Sequence, residues 1–227
     1  MSTLVTGVSS GLGKYLHENL FESFGLNRDN FDEIKDISYE LIIHCAFNKE
    51  NDITDYKKYL DDNIFLTQRL KKLKCRKFVY ISTVDVYQES PTIYSHFKRF
   101  SETLLDSKDL ILRCPMMIGD TMKINHLVKI KNNYDKIGLS KESTFNYILM
   151  EELLDFFVTK DFEKYEGIVD FISNDVIRLE NVKELFNSQT IFGDHIYKND
   201  LNVVNPIFKL DSKYDKPSLE KIKKYFK

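Results

Sequence analysis

Short, continuously apolar runs alternate with longer segments of helical period through the first half of the chain. Thr3-Leu4-Val5-Thr6 is the first such run, and a turn carrying Gly7, Gly11 and Gly13 follows it. Leu12, Leu16 and Leu20, with Tyr15, then recur at helical spacing. Ser23 to Leu26 predicts a second strand, and Leu41 to Cys45 a third, too uniformly apolar for a sheet edge. A helix is predicted from Thr54 to Leu73, with Leu60, Ile64, Thr67 and Leu70 on one face. Phe78 to Ile81 predicts the fourth strand, Tyr94 to Leu105 the next helix, and Leu110 to Leu112 a fifth strand closed by Pro115. This alternation predicts an α/β fold, a doubly wound parallel sheet with right-handed crossovers. The thirteen residues from Arg28 to Glu40 leave no room for a full covering helix, so that crossover should be trimmed.

Past Gly119 the pattern loosens. Helices are predicted over Met150 to Val158 and Leu179 to Phe186, a strand over Ile168 to Ile172, and a final helix opened by Pro217 and running to Tyr225. With no internal repeat and no low-complexity linker, residues 1–120 are expected to form the core. Residues 121–227 are expected to form a small substrate-binding region packed on it, the whole a single compact unit.

Composition narrows the function classes. Of the 227 residues, 42% are hydrophobic and 13% aromatic, enough for a sizeable core. Thirty-three basic against thirty-five acidic residues leave a charge of −2, which argues against nucleic-acid binding through bulk charge. No apolar run approaches the roughly 20 residues of a membrane helix. The first strand begins at Thr3, which leaves no room for a signal peptide, so a cytoplasmic protein is expected. Cys45, Cys75 and Cys114 read as buried reduced thiols, and the five histidines show no ligand spacing, so no metal site is expected.

Three places could carry chemistry. Thr6-Gly7-Val8-Ser9-Ser10-Gly11-Leu12-Gly13 lies between a strand and a helix, where glycines let the backbone approach a pyrophosphate and the helix N-terminus supplies unpaired N–H groups. Tyr94 and Lys98 stand four residues apart on one helix face. A tyrosine ionises near pH 10, so acid–base work near neutrality needs a shift of about 3 units. Ser82 and Thr83 end the fourth strand, where an open sheet presents ligand groups.

Taken in order, these motifs resemble the NAD(P)-dependent epimerase/dehydratase family of the short-chain dehydrogenases/reductases. Ile42-Ile43-His44-Cys45-Ala46-Phe47 stands in the place of that family's V-I-H-x-A-A. Asn63 and Thr67 are similar to an asparagine and threonine of its next helix. Val79-Tyr80-Ile81-Ser82-Thr83-Val84-Asp85-Val86-Tyr87 matches V-Y-x-S-(S/T)-x-x-V-Y. Tyr94-x-x-x-Lys98, Leu112-Arg113 with Gly119, and the segment from Tyr147 to Leu154 follow.

The resemblance implies a Rossmann fold with Thr83, Tyr94 and Lys98 as the catalytic residues. Tyr94 would be the general acid/base, and Lys98 would bind the nicotinamide ribose and depress the Tyr94 pKa. Gly7, Ser9, Ser10, Gly11, Leu12 and Gly13 would hold the pyrophosphate, with Cys45, Ala46, Asn63 and Ser82 also lining the cofactor. It further implies a homodimer through the helices carrying Asn63 and Tyr94. NADP(H) is expected over NAD(H), because Asn27 replaces the carboxylate that accepts from a ribose and Arg28 can pair with a 2′-phosphate.

The function implied is reduction of a keto group on a nucleotide-activated deoxysugar or another small keto substrate. The alternatives are an NAD-dependent nucleotide-sugar epimerase and a non-catalytic dinucleotide sensor. Dehydratase activity is not expected, since Val84 stands where the family's water-eliminating members carry an acid. Three features depart from the pattern: the glycine spacing, the short loop between Tyr87 and Tyr94, and the short region after Gly119.

Overall fold

The computed structural model describes residues 2–27, 30–34, 36–49, 54–199 and 203–227. Strand β1 (Thr3–Thr6) leads into helix α1 (Gly11–Asn19), then β2 (Ser23–Leu26), the single turn α2 (Phe31–Ile34) and β3 (Ser38–His44). The crossover after β2 is thus trimmed to one helical turn. The helical stretch that follows comprises α3 (Tyr56–Leu60), a wider π turn (Asp61–Phe65) and α4 (Leu66–Lys71). Next come β4 (Lys74–Thr83), a short 3₁₀ turn (Val84–Tyr87), α5 (Ile93–Glu102) and β5 (Leu110–Cys114).

The strands β3 and β4 start earlier than the apolar runs predict. Their first residues pair Ser38 with Lys74 and Tyr39 with Cys75, at positions half given to exposed polar side chains. Arg76 there bridges to Glu40 at 2.8 Å. Hydrogen bonding carries the ladder beyond the buried stretch, where hydrophobic pattern has nothing to report.

Beyond β5 the chain forms β6 (Met116–Ile118), α6 (His126–Lys131), β7 (Lys136–Leu139), β8 (Thr144–Phe145), β9 (Tyr147–Leu149) and α7 (Met150–Val158). It then adds β10 (Gly167–Asp170), β11 (Ile177–Arg178), α8 (Leu179–Leu185), β12 (Ile191–His195), α9 (Ile207–Leu210) and α10 (Ser218–Tyr225). Pro217 is the N-cap of α10, not its first helical residue.

The central sheet has six parallel strands in the order β10-β5-β4-β3-β1-β2. Strand β1 pairs with β2 on one side and β3 on the other, so connections leave it in opposite directions and open a crevice at its carboxyl end. Neighbouring residues along β1 and β3 feed opposite faces. Val5 and Ile43 pack with Leu12, Leu16 and Phe156, whereas Leu4 and Ile42 pack with Leu70, Phe78 and Tyr80.

The last strand, β10, and helix α7 come from beyond residue 120 yet belong to the central layers. Leu127, Ile130, Phe145, Tyr147, Leu179, Val182 and Ile222 gather in a cluster of their own. All three cysteines are free. Cys114 is buried, but Cys45 and Cys75 are only partly so, because each lies at a strand end where the covering helices stop. No described helix is long and apolar enough to cross a membrane.

Candidate active site

The crevice at the carboxyl ends of β1, β3 and β4 collects most of the expected residues. At its β1 side, Gly7 (φ +74°) and Gly11 (φ +62°) adopt the left-handed conformation that favours glycine. A Cβ on Gly7 would come within 2.9 Å of the Ala46 nitrogen, and one on Gly13 within 2.5 Å of the Thr6 and Gly7 carbonyls. A Cβ on Gly11 would meet nothing within 4 Å. Gly13 therefore lets α1 lie against β1, and Gly11 faces open space. Ser10 is the N-cap of α1, yet its side chain makes no capping bond, while the Leu12 side chain is buried in the core and leaves only backbone for a ligand. This cradle fits the pyrophosphate of a dinucleotide. One of its groups already has a partner: Gly11 N–H donates to the Thr121 carbonyl at 3.1 Å, and the Thr121 hydroxyl donates to the Gly11 carbonyl at 2.7 Å.

The segment after β3 is fixed by a directed chain of hydrogen bonds. Ala46 N–H donates to Thr6 Oγ1 at 2.9 Å, and Thr67 Oγ1 donates to the Asn63 carbonyl at 2.7 Å. His44 lies between the two hydroxyls, with Nδ1 2.8 Å from Thr6 Oγ1 and Nε2 3.0 Å from Thr67 Oγ1. Thr67 has its proton committed, so it accepts from Nε2–H, and the Thr6 proton goes to Nδ1. That assigns the tautomer. Burial, then the nearby Lys98, push the His44 pKa down to about 3, so the ring is neutral. Asn63 lies in the π turn, an irregularity frequent at functional sites. Its amide takes both main-chain groups of Asn48, accepting from N–H at 2.7 Å and donating to the carbonyl at 3.2 Å.

At the β4 side, helix α5 brings Tyr94 and Lys98 against the strand end. The Thr83 hydroxyl accepts from the Asp85 N–H at 3.2 Å and lies beside the Tyr94 phenol. Lys98 is buried, and its Nζ donates to the Ile81 carbonyl at 2.7 Å between the rings of Phe47 and Tyr80, 4.4 and 4.6 Å away. Burial, then Lys49, lower the Lys98 pKa to about 7.

The expected depression of the Tyr94 pKa is not what the surroundings produce. Burial first, then Asp85, push it up, and only the Thr83 hydroxyl opposes them among the leading influences. The Lys98 ammonium is directed to the Ile81 carbonyl instead.

Ser82 does not face the site: its hydroxyl donates to Glu102 at 2.5 Å, inside a buried pair with Arg113. Successive strand residues alternate, so Ser82 and Thr83 cannot both reach Tyr94. Asn27 directly follows β2, with its N–H donating to Asn30 Oδ1 at 3.0 Å. Arg28, expected beside it, lies outside the described residues.

Four residues beside Tyr94 were not foreseen. Phe47 meets its ring edge-on at 5.3 Å, and Lys49 Nζ lies 4.6 Å from the ring centroid. Asp85 accepts a short hydrogen bond from the Tyr197 hydroxyl, which closes the site from the C-terminal region. Lys49, a lone lysine beyond the strand end, and Tyr197, more than a hundred residues away, carry no local signal. Phe47 did carry one, as a bulky ring where the family pattern has a small residue.

Among solved structures, the chain is similar to dTDP-4-dehydrorhamnose reductase of Bacillus anthracis in complex with NADP, with TM-score 0.77, 17% identity, and 99% of this chain and 98% of that one covered. The fold is shared with enzymes of nucleotide sugars. A dTDP-4-dehydrorhamnose reductase of Clostridium acetobutylicum gives TM-score 0.75 at 15% identity, covering 100% and 98%. A UDP-galactose 4-epimerase gives 0.74 at 14%, covering 99% and 97%. No family model matches the chain. Among curated proteins, the 4-hydroxy-tetrahydrodipicolinate synthase of Karelsulcia muelleri is 31% identical over 109 residues, 47% of this chain. The chain spans only 36% of that protein's length.

Proposed function

We propose that the protein is an NADP(H)-dependent reductase of a keto group on a nucleotide-activated sugar. The observation that carries this reading is the convergence of Thr83, Tyr94 and Lys98 beside the glycine cradle at the carboxyl ends of one parallel sheet. Likeness of fold to reductases and epimerases of nucleotide sugars supports the substrate class.

The first turn of α1 beyond Gly11 would hold the pyrophosphate, and Lys98 the ribose hydroxyls. A reduced nicotinamide supplies hydride for the keto carbon. Thr83 orients the keto oxygen, and the Tyr94 hydroxyl gives it the proton. Burial and Asp85 favour the neutral phenol, so Tyr94 rests in the proton-donating form that reduction requires. An epimerase begins by oxidation and needs the same group as a base, which these surroundings disfavour. Val84 is buried and has no proton to offer, so water elimination is not expected.

NADP(H) is favoured over NAD(H) because Asn27, not a carboxylate, directly follows β2. Freshly purified protein should release no stoichiometric dinucleotide on denaturation and should bind added NADPH more tightly than NADH. Stoichiometric NAD⁺ would move the reading to the epimerase, and tighter NADH binding would overturn the preference.

A further inference from the structure

Resting on the dinucleotide reading above, we propose that Phe47 is a side-chain gate on Lys98, and that its ring must turn aside before a ribose can reach the ammonium. The ring lies 4.4 Å from Lys98 Nζ and meets Tyr94 edge-on at 5.3 Å, so it is wedged between the two groups the chemistry needs together. Tyr80 covers the ammonium from another side at 4.6 Å, and one N–H is already given to the Ile81 carbonyl. An ammonium has three donors. Two aromatic rings lie over it here, Tyr80 from within β4 and Phe47 from the segment that follows the carboxyl end of β3.

The main chain around Phe47 is held on both sides. Ala46 N–H is bound by Thr6, and both main-chain groups of Asn48 are bound by the Asn63 amide. Opening is therefore a rotation of the Phe47 side chain, not a movement of the segment. Beyond Tyr94, the ring touches Tyr59 edge-on at 6.3 Å, and the Tyr59 hydroxyl is buried without a hydrogen-bond partner. The ring is thus flanked by aromatic neighbours and by one buried, unpaired hydroxyl among the described residues.

A gate of this kind weakens apparent affinity by the fraction of time it stands open. Phe47→Ala should then bind NADPH at least about fivefold more tightly than the unmodified chain, by direct fluorescence titration. Phe47→Leu, which keeps bulk but has no flat ring, should fall between them and guards against misfolding of the alanine variant. A second reading needs no dinucleotide: amidination of Lys98 by an imidoester, mapped by peptide mass spectrometry, should be about tenfold faster in Phe47→Ala, because the ring no longer shields the amine. Unchanged or weaker NADPH binding in Phe47→Ala overturns the gate, as does unchanged Lys98 reactivity. Faster amidination with no dinucleotide bound by any variant would overturn the proposed function and leave the shielding of Lys98 standing.

Discussion

At the β1 end of the crevice the recognising groups are main-chain atoms, whereas at the β4 end they are side chains withdrawn from water. Gly7, Gly11 and Gly13 would act by lacking a Cβ, and α1's first turn carries no acidic side chain. Under the proposed reading Thr83, Tyr94 and Lys98 would act through side-chain protons, and burial has moved the proton affinities of two of them: the Tyr94 phenol upward and the Lys98 ammonium down to about 7. The first end should therefore respond to added volume and hardly to pH, the second to pH and to single atoms.

The largest expected effect is at the side-chain end. Tyr94→Phe removes one oxygen, and turnover should fall by about 10²–10⁴-fold with NADPH affinity within about twofold of the original. Retention of more than about a tenth of the rate in a kcat measurement would remove Tyr94 from the proton-donating role.

Glycine substitutions test the main-chain end and split it in two. Gly13→Ala forces a methyl group to 2.5 Å from two carbonyl oxygens, so the fold should lose about 1–3 kcal/mol in denaturant unfolding. Gly11→Ala meets open space and carries only the left-handed strain of about 1–2 kcal/mol, yet its methyl points where a pyrophosphate would lie. Its NADPH affinity should drop at least about tenfold, by the same steric exclusion. Equal affinity would place the phosphates elsewhere.

Acid should expose the relay through His44 that joins β1 to α4. His44 is held neutral with a pKa near 3, below the ordinary 6.5, so the unfolded chain takes up its proton first. Stability is then full above pH 6.5 and falls as the pH drops from 6.5 towards 3, by about 1.4 kcal/mol per unit at most. Buried His126, also near 3, titrates in the same window. His44→Gln should lower the slope of unfolding free energy against pH by close to one proton's worth, and an unchanged slope would mean that His44 is already protonated in the fold.

The smallest effect is a proton count. Above pH 7 Lys98 is largely neutral, and bonds to ribose hydroxyls and a nearby phosphate favour its charged form. NADPH binding at pH 8 should therefore take up close to one proton, and at pH 6 almost none. Calorimetry in buffers of different ionisation enthalpy reads this directly.

Much of this comparison can be read from the sequence, for local reasons. The β1-turn-α1 unit and the pair Tyr94/Lys98 are each defined by short spacings, which fix what lies on one turn or one helix face. Pleat geometry would also have separated Ser82 from Thr83, had alternation been applied at the strand end as it is in the strand. The bond from Tyr197 to Asp85 joins distant parts of the chain and is set by tertiary packing alone. The resting position of the Phe47 ring is likewise a matter of packing, since spacing gives no rotamer. The early starts of β3 and β4 escaped because exposed polar residues continue a ladder that hydrophobicity does not mark.

Strand β10 has a consequence for biosynthesis. As the chain leaves the ribosome, β5 is available long before residues 167–170 arrive to pair with it. Even then Asp170 needs more: it accepts the Tyr87 hydroxyl at 2.7 Å and the amides of Val204 and Asn205 at 3.1 and 3.2 Å. Its fully buried carboxylate has no complete set of partners until residue 205 has been made. Through that interval Leu110, Ile111 and Leu112 present an open, apolar sheet edge, the kind of surface on which nascent chains aggregate or recruit chaperones.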